Sequence, residues 1–422
     1  MPNYCSARLP MMADRESLFV QGGEVKSIHI RGRQDMSMTG IDAAARGDLI
    51  DRGYSRRQIG QVAALLGAAA TITSFRPAFA QSQAARAVAG AVQIGANECW
   101  TGPFPVAAEA AAKVVAQGNR YDPGDLRGQF LKTVAQVEGI GEDRILPWPG
   151  SGDPLVRSVI AFCSPEKGLV TPDPTFESAW RAAAWLKAPL AKVAMQPGKG
   201  ADVKAMLAAN PNAGLYYIVS PNNPTGTVTP LADIEWLANN KPADSVLLVD
   251  EAYLHFSEAP SAMGLAKSRK DVIVMRTFSK LFGMAGIRLG LTFADPALHM
   301  QMMRYDGRQV TGTLPVTALA CGTAAYTAFD AIKARRAEMI AVREDTLAHL
   351  KKRGIAYQTG SEGNMFMLDW GKPAKEMQGK MLAQMVQIGR SWEIWPTVSR
   401  VTVGSAEDME KFKIALDKVL MA

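Results

Sequence analysis

The sequence predicts an α/β fold, a mostly parallel sheet sandwiched by helices with a smaller α+β domain beside it. Three observations predict it. From Arg144 onward, short β-branched runs alternate with helical patterns. The runs are apolar throughout, as strands are when both faces of a sheet are covered. Residues able to do chemistry recur just after these runs, where open α/β sheets collect their ligands.

In chain order, Gly168–Thr171, Leu215–Val219, Val246–Val249, Val272–Met275 and Leu289–Phe293 read as strands. Pro154–Cys163, Phe176–Leu186, Val203–Ala208 and Leu231–Asn239 read as the helices between them. Pro, Gly and Asn clusters punctuate the strand ends. After Leu314 helical patterns dominate: Val316 to about Lys352, Ala374–Gly389 and Glu407–Val419. Asn364–Asp369 and Arg400–Val403 read as strands of the smaller unit. The large domain is expected over residues 122–312, and the small one over 92–121 plus 313–422.

Residues 1–80 read as a leader rather than as part of the fold. Tyr54-Ser55-Arg56-Arg57-Gln58 precedes an Ala- and Gly-rich apolar stretch, Ile59–Ile72, and then Ala78-Phe79-Ala80-Gln81. That order is a charged region, a hydrophobic segment and a small-x-small cleavage site. The paired arginines match a twin-arginine export signal, which a receptor reads and which does not anchor the chain. Cleavage after Ala80 would start the mature chain at Gln81, in the periplasm; a cytoplasmic protein is the alternative. The competing reading of the segment is an ordinary amphipathic helix. Residues 1–53 lack hydrophobic periodicity, and a true start at Met36 or Met38 would shorten the charged region to the usual length.

Composition excludes several classes. The chain has 422 residues, 48% hydrophobic and 21% charged, as expected of a globular protein. The net charge of +7 is scattered, with no basic block interleaved with aromatics, so no nucleic-acid partner is expected. Cys5, Cys99, Cys163 and Cys321 form no CxxC pair, and the four histidines are dispersed, so no metal site is expected. The four thiols are expected to be free and buried or partly buried. No Gly-x-Gly-x-x-Gly opens a first βαβ unit, which argues against a nicotinamide dehydrogenase.

Three segments carry the chemistry: Ser220-Pro-Asn-Asn223-Pro-Thr-Gly226, Val249-Asp250-Glu-Ala-Tyr253, and Arg276-Thr277-Phe-Ser279-Lys280 continuing to Arg288. Asn223, Asp250 and Lys280 each follow a predicted strand. An amine in a Ser-Lys turn, eight positions before an arginine, suits pyridoxal phosphate. The amine condenses with the aldehyde, and the guanidinium grips a dianionic phosphate in bidentate fashion.

Together these segments resemble the fold-type I pyridoxal phosphate enzymes of the class I/II aminotransferase group, nearest the histidinol-phosphate aminotransferase branch. The resemblance spans roughly residues 92–420. It implies that Lys280 is the catalytic lysine, which binds the cofactor and then shuttles a proton at the substrate's Cα. It implies that Asp250 pairs with the pyridinium nitrogen, while Tyr253 and Asn223 hydrogen-bond the phenolic oxygen. Arg288 would clamp the phosphate, helped by Thr277 and Ser279. The second phosphate grip would come from Gly150-Ser-Gly152-Asp153-Pro154, a helix start whose backbone N–H groups favour an anion. Pro154 removes one donor there and departs from the family's usual residue. Phe176 would stack on the ring, without the hydroxyl of the tyrosine common in this branch. Tyr121 matches a tyrosine that reaches the neighbouring subunit's phosphate, which implies a homodimer. Arg400 matches the arginine that holds the substrate's carboxylate or phosphate. Asn97-Glu98-Cys99-Trp100 fills only part of the family's Asn-Glu-Asn-Pro segment, so Asn97 is a substrate-side candidate. Trp392 and Trp395 read equally as pocket-lining and as packing residues.

The expected activity is amino-group transfer between an amino acid or amino phosphate and a 2-oxo acid or aldehyde. A decarboxylase or lyase on the same scaffold is the nearest alternative, because the cofactor stabilises carbanions whichever Cα bond breaks. A non-catalytic exported binding protein is the more distant one.

Overall fold

The structure is a computed structural model that describes residues 41–70, 88–305 and 307–421. The proposed cleavage site at Ala80, both candidate start methionines and Cys5 lie outside these residues.

A seven-stranded sheet forms the centre. Its strands are β1 (Ile145–Trp148), β2 (Leu169–Asp173), β3 (Leu190–Ala194), β4 (Leu215–Val219), β5 (Val246–Asp250), β6 (Val272–Thr277) and β7 (Gly290–Phe293). They lie in the order β1-β7-β6-β5-β4-β2-β3. All pairings are parallel except those of β7, which runs antiparallel to both β6 and β1. Strands β4, β5 and β6 are buried along their whole length, which explains their unbroken apolar runs.

β1 and β3 escape the apolar-run criterion. Pro147 interrupts one, and the other is a partly exposed edge strand containing Lys192. A four-stranded antiparallel sheet carries Met365–Asp369 and Trp395–Thr402. Val92–Ile94 pairs in parallel with Val386–Ile388. The helix expected over Ala374–Gly389 stops at Ala383, because Met385 takes a left-handed φ of 60° and the chain turns into that short strand. The long helix expected from Val316 is two, Val316–Tyr326 and Phe329–Lys352. The break lets Tyr326 reach Glu138 Oε1 at 2.7 Å, where the Arg276 guanidinium also donates.

Residues 41–66 pack onto helices that cover the central sheet. Helix α1 (Ala43–Asp51) is capped by Asp42, whose carboxylate accepts from Ala45 N at 2.7 Å. Gly53, at φ 84°, turns the chain back. Helix α2 (Arg56–Ala70) then starts at a reciprocal cap. The Gln58 side chain accepts from Ser55 N at 2.9 Å, and the Ser55 hydroxyl accepts from Gln58 N at 3.4 Å. Ile59, Val62, Leu65 and Leu66 recur at helical spacing and are buried. They join a core cluster with α3 (Gly152–Phe162) and α4 (Ser178–Leu186). Over these residues the chain is helical and packed, the local structure expected of the amphipathic-helix reading. Among the described residues no helix is long and apolar enough to cross a membrane.

Candidate active site

The parallel register places three expected residues side by side. Asp250 ends β5 level with Val219 of β4 and Met275 of β6. The loops leaving those strands therefore emerge from one edge. They carry Asn223, Tyr253 and Lys280. Because β7 runs back antiparallel, its first residue, Gly290, lies opposite both Thr277 and Trp148. Arg288, two residues before it, thus returns to the same edge beside the turn Gly150–Gly152.

The phosphate end is shaped by backbone. Gly150 has φ 92°, and a Cβ there would collide with the Arg288 guanidinium. A Cβ on Gly290 would meet the Gly150 backbone at 2.7 Å. Arg288, itself at φ 66°, donates from Nη1 to Ala285 O at 2.8 Å and reaches Ser279 Oγ at 3.5 Å. Burial pulls its pKa down. The Thr277 hydroxyl donates to Ser279 Oγ at 2.9 Å and accepts from Ser279 N at 3.1 Å. Helix α3 begins at Gly152, so its first N–H groups open toward this cradle. The Asp153 carboxylate is not a free anion beside it. It accepts from Arg157 Nε at 2.8 Å, and both side chains are 1% exposed.

At the ring end, Asp250 is buried, and burial raises its carboxyl to about 6. Oδ2 accepts from the Tyr217 hydroxyl at 3.0 Å, and Oδ1 accepts from Ala252 N at 3.0 Å. Both bonds, and the Lys280 charge, act against that rise. Burial first, then Asp250, pushes Tyr217 well above the usual phenol range, so Tyr217 remains a donor. Sequence reasoning missed Tyr217. Strand alternation could have found it, since Tyr217 and Val219 point to one face and Val219 is level with Asp250. Lys280 Nζ lies 5.5 Å from the centre of the Tyr253 ring. Phe176, partly buried, packs against the cluster that contains Tyr217.

The substrate side comes from the small sheets. Asn97, at φ 55°, is 1% exposed and is anchored by Thr402, which accepts from Asn97 N and donates to Asn97 Oδ1, each at 2.9 Å. Asn97 Nδ2 donates to Tyr253 Oη at 3.1 Å and to Asn223 Oδ1 at 3.4 Å. Arg400 Nη1 donates to the same Asn223 oxygen at 2.7 Å, and Nη2 to Gly95 O at 2.6 Å. Asn223 Oδ1 is thereby used, which leaves its Nδ2 edge to donate to a ligand. Arg400 Nε is buried and unpartnered among the described residues. Burial, with the neighbouring Arg390 charge, lowers Arg400 to about 10. Both guanidiniums approach the Trp392 ring, Arg390 at 4.1 Å and Arg400 at 5.7 Å from its centre. Tyr121 is not drawn into this cluster; it stands 89% exposed.

Asn97, Asn223, Asp250, Tyr253, Lys280 and Arg400 thus form one connected site, with Thr277, Ser279, Arg288 and Gly150–Gly152 at its phosphate end. The donors suit an anionic pyridine cofactor. A buried carboxylate offers a partner for a ring nitrogen, amide and phenol groups for a ring oxygen, and a glycine cradle under an arginine for a phosphate. Among the described residues no cluster of metal-ligating side chains occurs.

Comparison with known proteins agrees with this arrangement. Residues 89–419 match the family model for aminotransferase class I and II. A histidinol-phosphate aminotransferase from Symbiobacterium thermophilum is 32% identical over 78% of this chain and 90% of its own length. An aromatic amino acid aminotransferase from Rhodococcus erythropolis is 29% identical over 66% of this chain and 77% of its own. A crystal structure from Erwinia carotovora atroseptica superposes with a TM-score of 0.73 at 27% identity, covering 78% of this chain and 95% of that one. The histidinol-phosphate aminotransferase of Sinorhizobium meliloti, solved with pyridoxal-5'-phosphate, shares the fold at a TM-score of 0.69 and 22% identity, over 78% of this chain and 90% of that one. An edge of parallel strands that presents a lysine, an aspartate and an arginine-lined glycine cradle, in a chain matched over nearly its whole described length, leaves one assignment: it belongs to the class I and II aminotransferases and is a pyridoxal-phosphate-dependent transaminase.

Proposed function

We propose that this transaminase takes an amino acid or amino phosphate by its anionic group on Arg400 and passes the amino group to a 2-oxo acid or aldehyde. The half-buried Arg400, whose Nε has no partner among the described residues, carries the reading, because a desolvated guanidinium without a carboxylate calls for an anion. The bound cofactor supplies an electron sink for the carbanion at the substrate's Cα. The chain's residues do the rest. Lys280 Nζ moves the proton at Cα. Asp250 keeps a proton on the ring nitrogen, and Tyr217 orients Asp250. Asn223 Nδ2 and the Tyr253 hydroxyl donate to the ring oxygen. Arg288, Ser279 and the first N–H groups of α3 hold the phosphate, and Phe176 covers the ring.

Within the family we place the enzyme near the histidinol-phosphate branch, on the strength of the Symbiobacterium relative. We also propose a homodimer, which would give the exposed Tyr121 a partner. Export by a twin-arginine receptor rests on Arg56 and Arg57, both exposed at the start of α2. Sequencing the amino terminus of secreted protein tests it: a start at Gln81 supports export with cleavage, and retention of residue 41 onward rejects cleavage.

The test of function is a donor–acceptor screen with histidinol phosphate and aromatic and acidic amino acids, on wild type and Arg400→Lys. Keto-acid production is expected, with donor KM raised about tenfold or more in the variant, since lysine cannot reproduce a bidentate contact. Carbon dioxide release without a keto product, or an unchanged KM, would reject the assignment.

A further inference from the structure

The hairpin formed by α1 and α2 does more than cover apolar surface: it grips the carboxyl end of the helix whose amino end is the phosphate cup. Arg52 Nη2 donates to Ile160 O at 2.8 Å, a carbonyl in the last turn of α3, and to Cys163 O at 2.6 Å, just past the helix end. The Tyr54 hydroxyl donates to Cys163 O at 2.7 Å. A cation on the last carbonyls of a helix satisfies acceptors the helix cannot and complements its dipole.

A second path runs from the hairpin to the cup. Arg52 Nη1 donates to Tyr305 Oη at 2.9 Å, and that hydroxyl donates in turn to Asp48. The carbonyl of the same Tyr305 accepts from Arg157 Nη1 at 2.9 Å. Arg157 Nε then holds the Asp153 carboxylate at 2.8 Å, one residue inside the start of α3. Asp153 and Arg157 are both buried, so this carboxylate would oppose a phosphate unless its charge stayed paired and turned aside.

We infer that Arg52 is a positioning residue for the cofactor, acting through Tyr305 and Arg157 to hold α3 and Asp153 in the geometry that admits a phosphate. The inference concerns the full-length chain and is independent of whether the hairpin is later removed. It rests on the cofactor assignment but reads out separately, because binding is measured without turnover.

The experiment titrates cofactor-stripped full-length protein with pyridoxal phosphate by tryptophan fluorescence, for wild type, Arg52→Ala and Gln58→Ala. Gln58 ties the hairpin to α4 through Leu186 O at 2.9 Å and touches neither path. Both variants should lower the melting temperature. Only Arg52→Ala should weaken cofactor binding, roughly three- to tenfold, as expected for losing a few charge-assisted hydrogen bonds at one remove. Arg52→Lys, which spans fewer of the acceptors, should recover part of the loss and serves as the test if Arg52→Ala does not fold. Binding within twofold of wild type, or an equal loss in Gln58→Ala, overturns the inference. Failure of the wild type to bind would instead reject the cofactor assignment.

Discussion

Asp250 offers the sharpest test, because its two environments differ by one positive charge. In cofactor-free protein the buried carboxyl sits at about 6, against 3.8 when exposed. A carboxyl raised by folding contributes stability only while protonated. That contribution is complete below the unfolded value and is lost as pH rises from about 4 through about 6. The shift of about two units corresponds to about 3 kcal/mol in total. Roughly half of it accrues between about pH 5 and pH 7.5, a range suitable for urea unfolding. Asp250→Asn keeps the shape and one oxygen for Tyr217 while removing the titration. Stability of stripped wild type should therefore fall relative to Asp250→Asn by about 1.4 kcal/mol across that range. Saturating cofactor should cancel the trend, since a protonated ring nitrogen gives the carboxylate its partner. A difference that stays flat or rises with pH in stripped protein would refute the claim that desolvation dominates at Asp250.

Three further outcomes are expected. Borohydride reduction followed by peptide mass mapping should find the cofactor on Lys280, and Lys280→Ala should keep its fold while losing transamination; a label on another lysine rejects the site. Gly150→Ala should weaken cofactor binding at least tenfold and cost about 1–3 kcal/mol of stability, because a left-handed backbone and the Arg288 guanidinium both oppose a Cβ there; near-wild-type binding would show that Arg288 can move aside. Arg276→Met should cost about 3–5 kcal/mol in urea unfolding, because it takes the cation from buried Glu251, bonded at 2.9 Å, and from half-buried Glu138, at 2.6 Å; a loss under about 1 kcal/mol would mean those carboxylates protonate or find water.

The chemistry was legible wherever local pattern and topology coincide. Asn223, Asp250 and Lys280 could be paired from sequence because each follows an apolar run, and parallel runs deliver their ends to one edge. Residues fixed by tertiary contact were not. Tyr217 looks like any core aromatic until β4 is set beside β5. Thr402, which holds Asn97 through both of its polar groups, has no local signal. The break after Tyr326 carries neither Pro nor Gly; the chain turns there because that ring packs with Phe278 and Phe282 while its hydroxyl is held between Glu138 and Arg276.

The segment Ser55-Arg56-Arg57-Gln58 shows why composition alone cannot decide between two physical roles. An export signal and a helix amino terminus ask for overlapping things: a small polar residue, charge, and then an apolar run. The two differ in what happens to the apolar residues. A free signal must leave them open to a receptor or membrane, whereas a helix in a fold must match them to a complementary face. Here Ile59, Val62, Leu65 and Leu66 meet such a face on α3 and α4, and the Ser55–Gln58 exchange of hydrogen bonds is a cap independent of any receptor. Arg56 and Arg57 are exposed. The two roles can therefore be separated by substitution. Arg56→Lys with Arg57→Lys should leave the melting temperature unchanged while blocking any twin-arginine export. Val62→Asp should lower the melting temperature by burying a charge where its neighbours are apolar. If the double lysine variant destabilised the enzyme instead, the division of this helix into a read surface and a packed surface would be wrong.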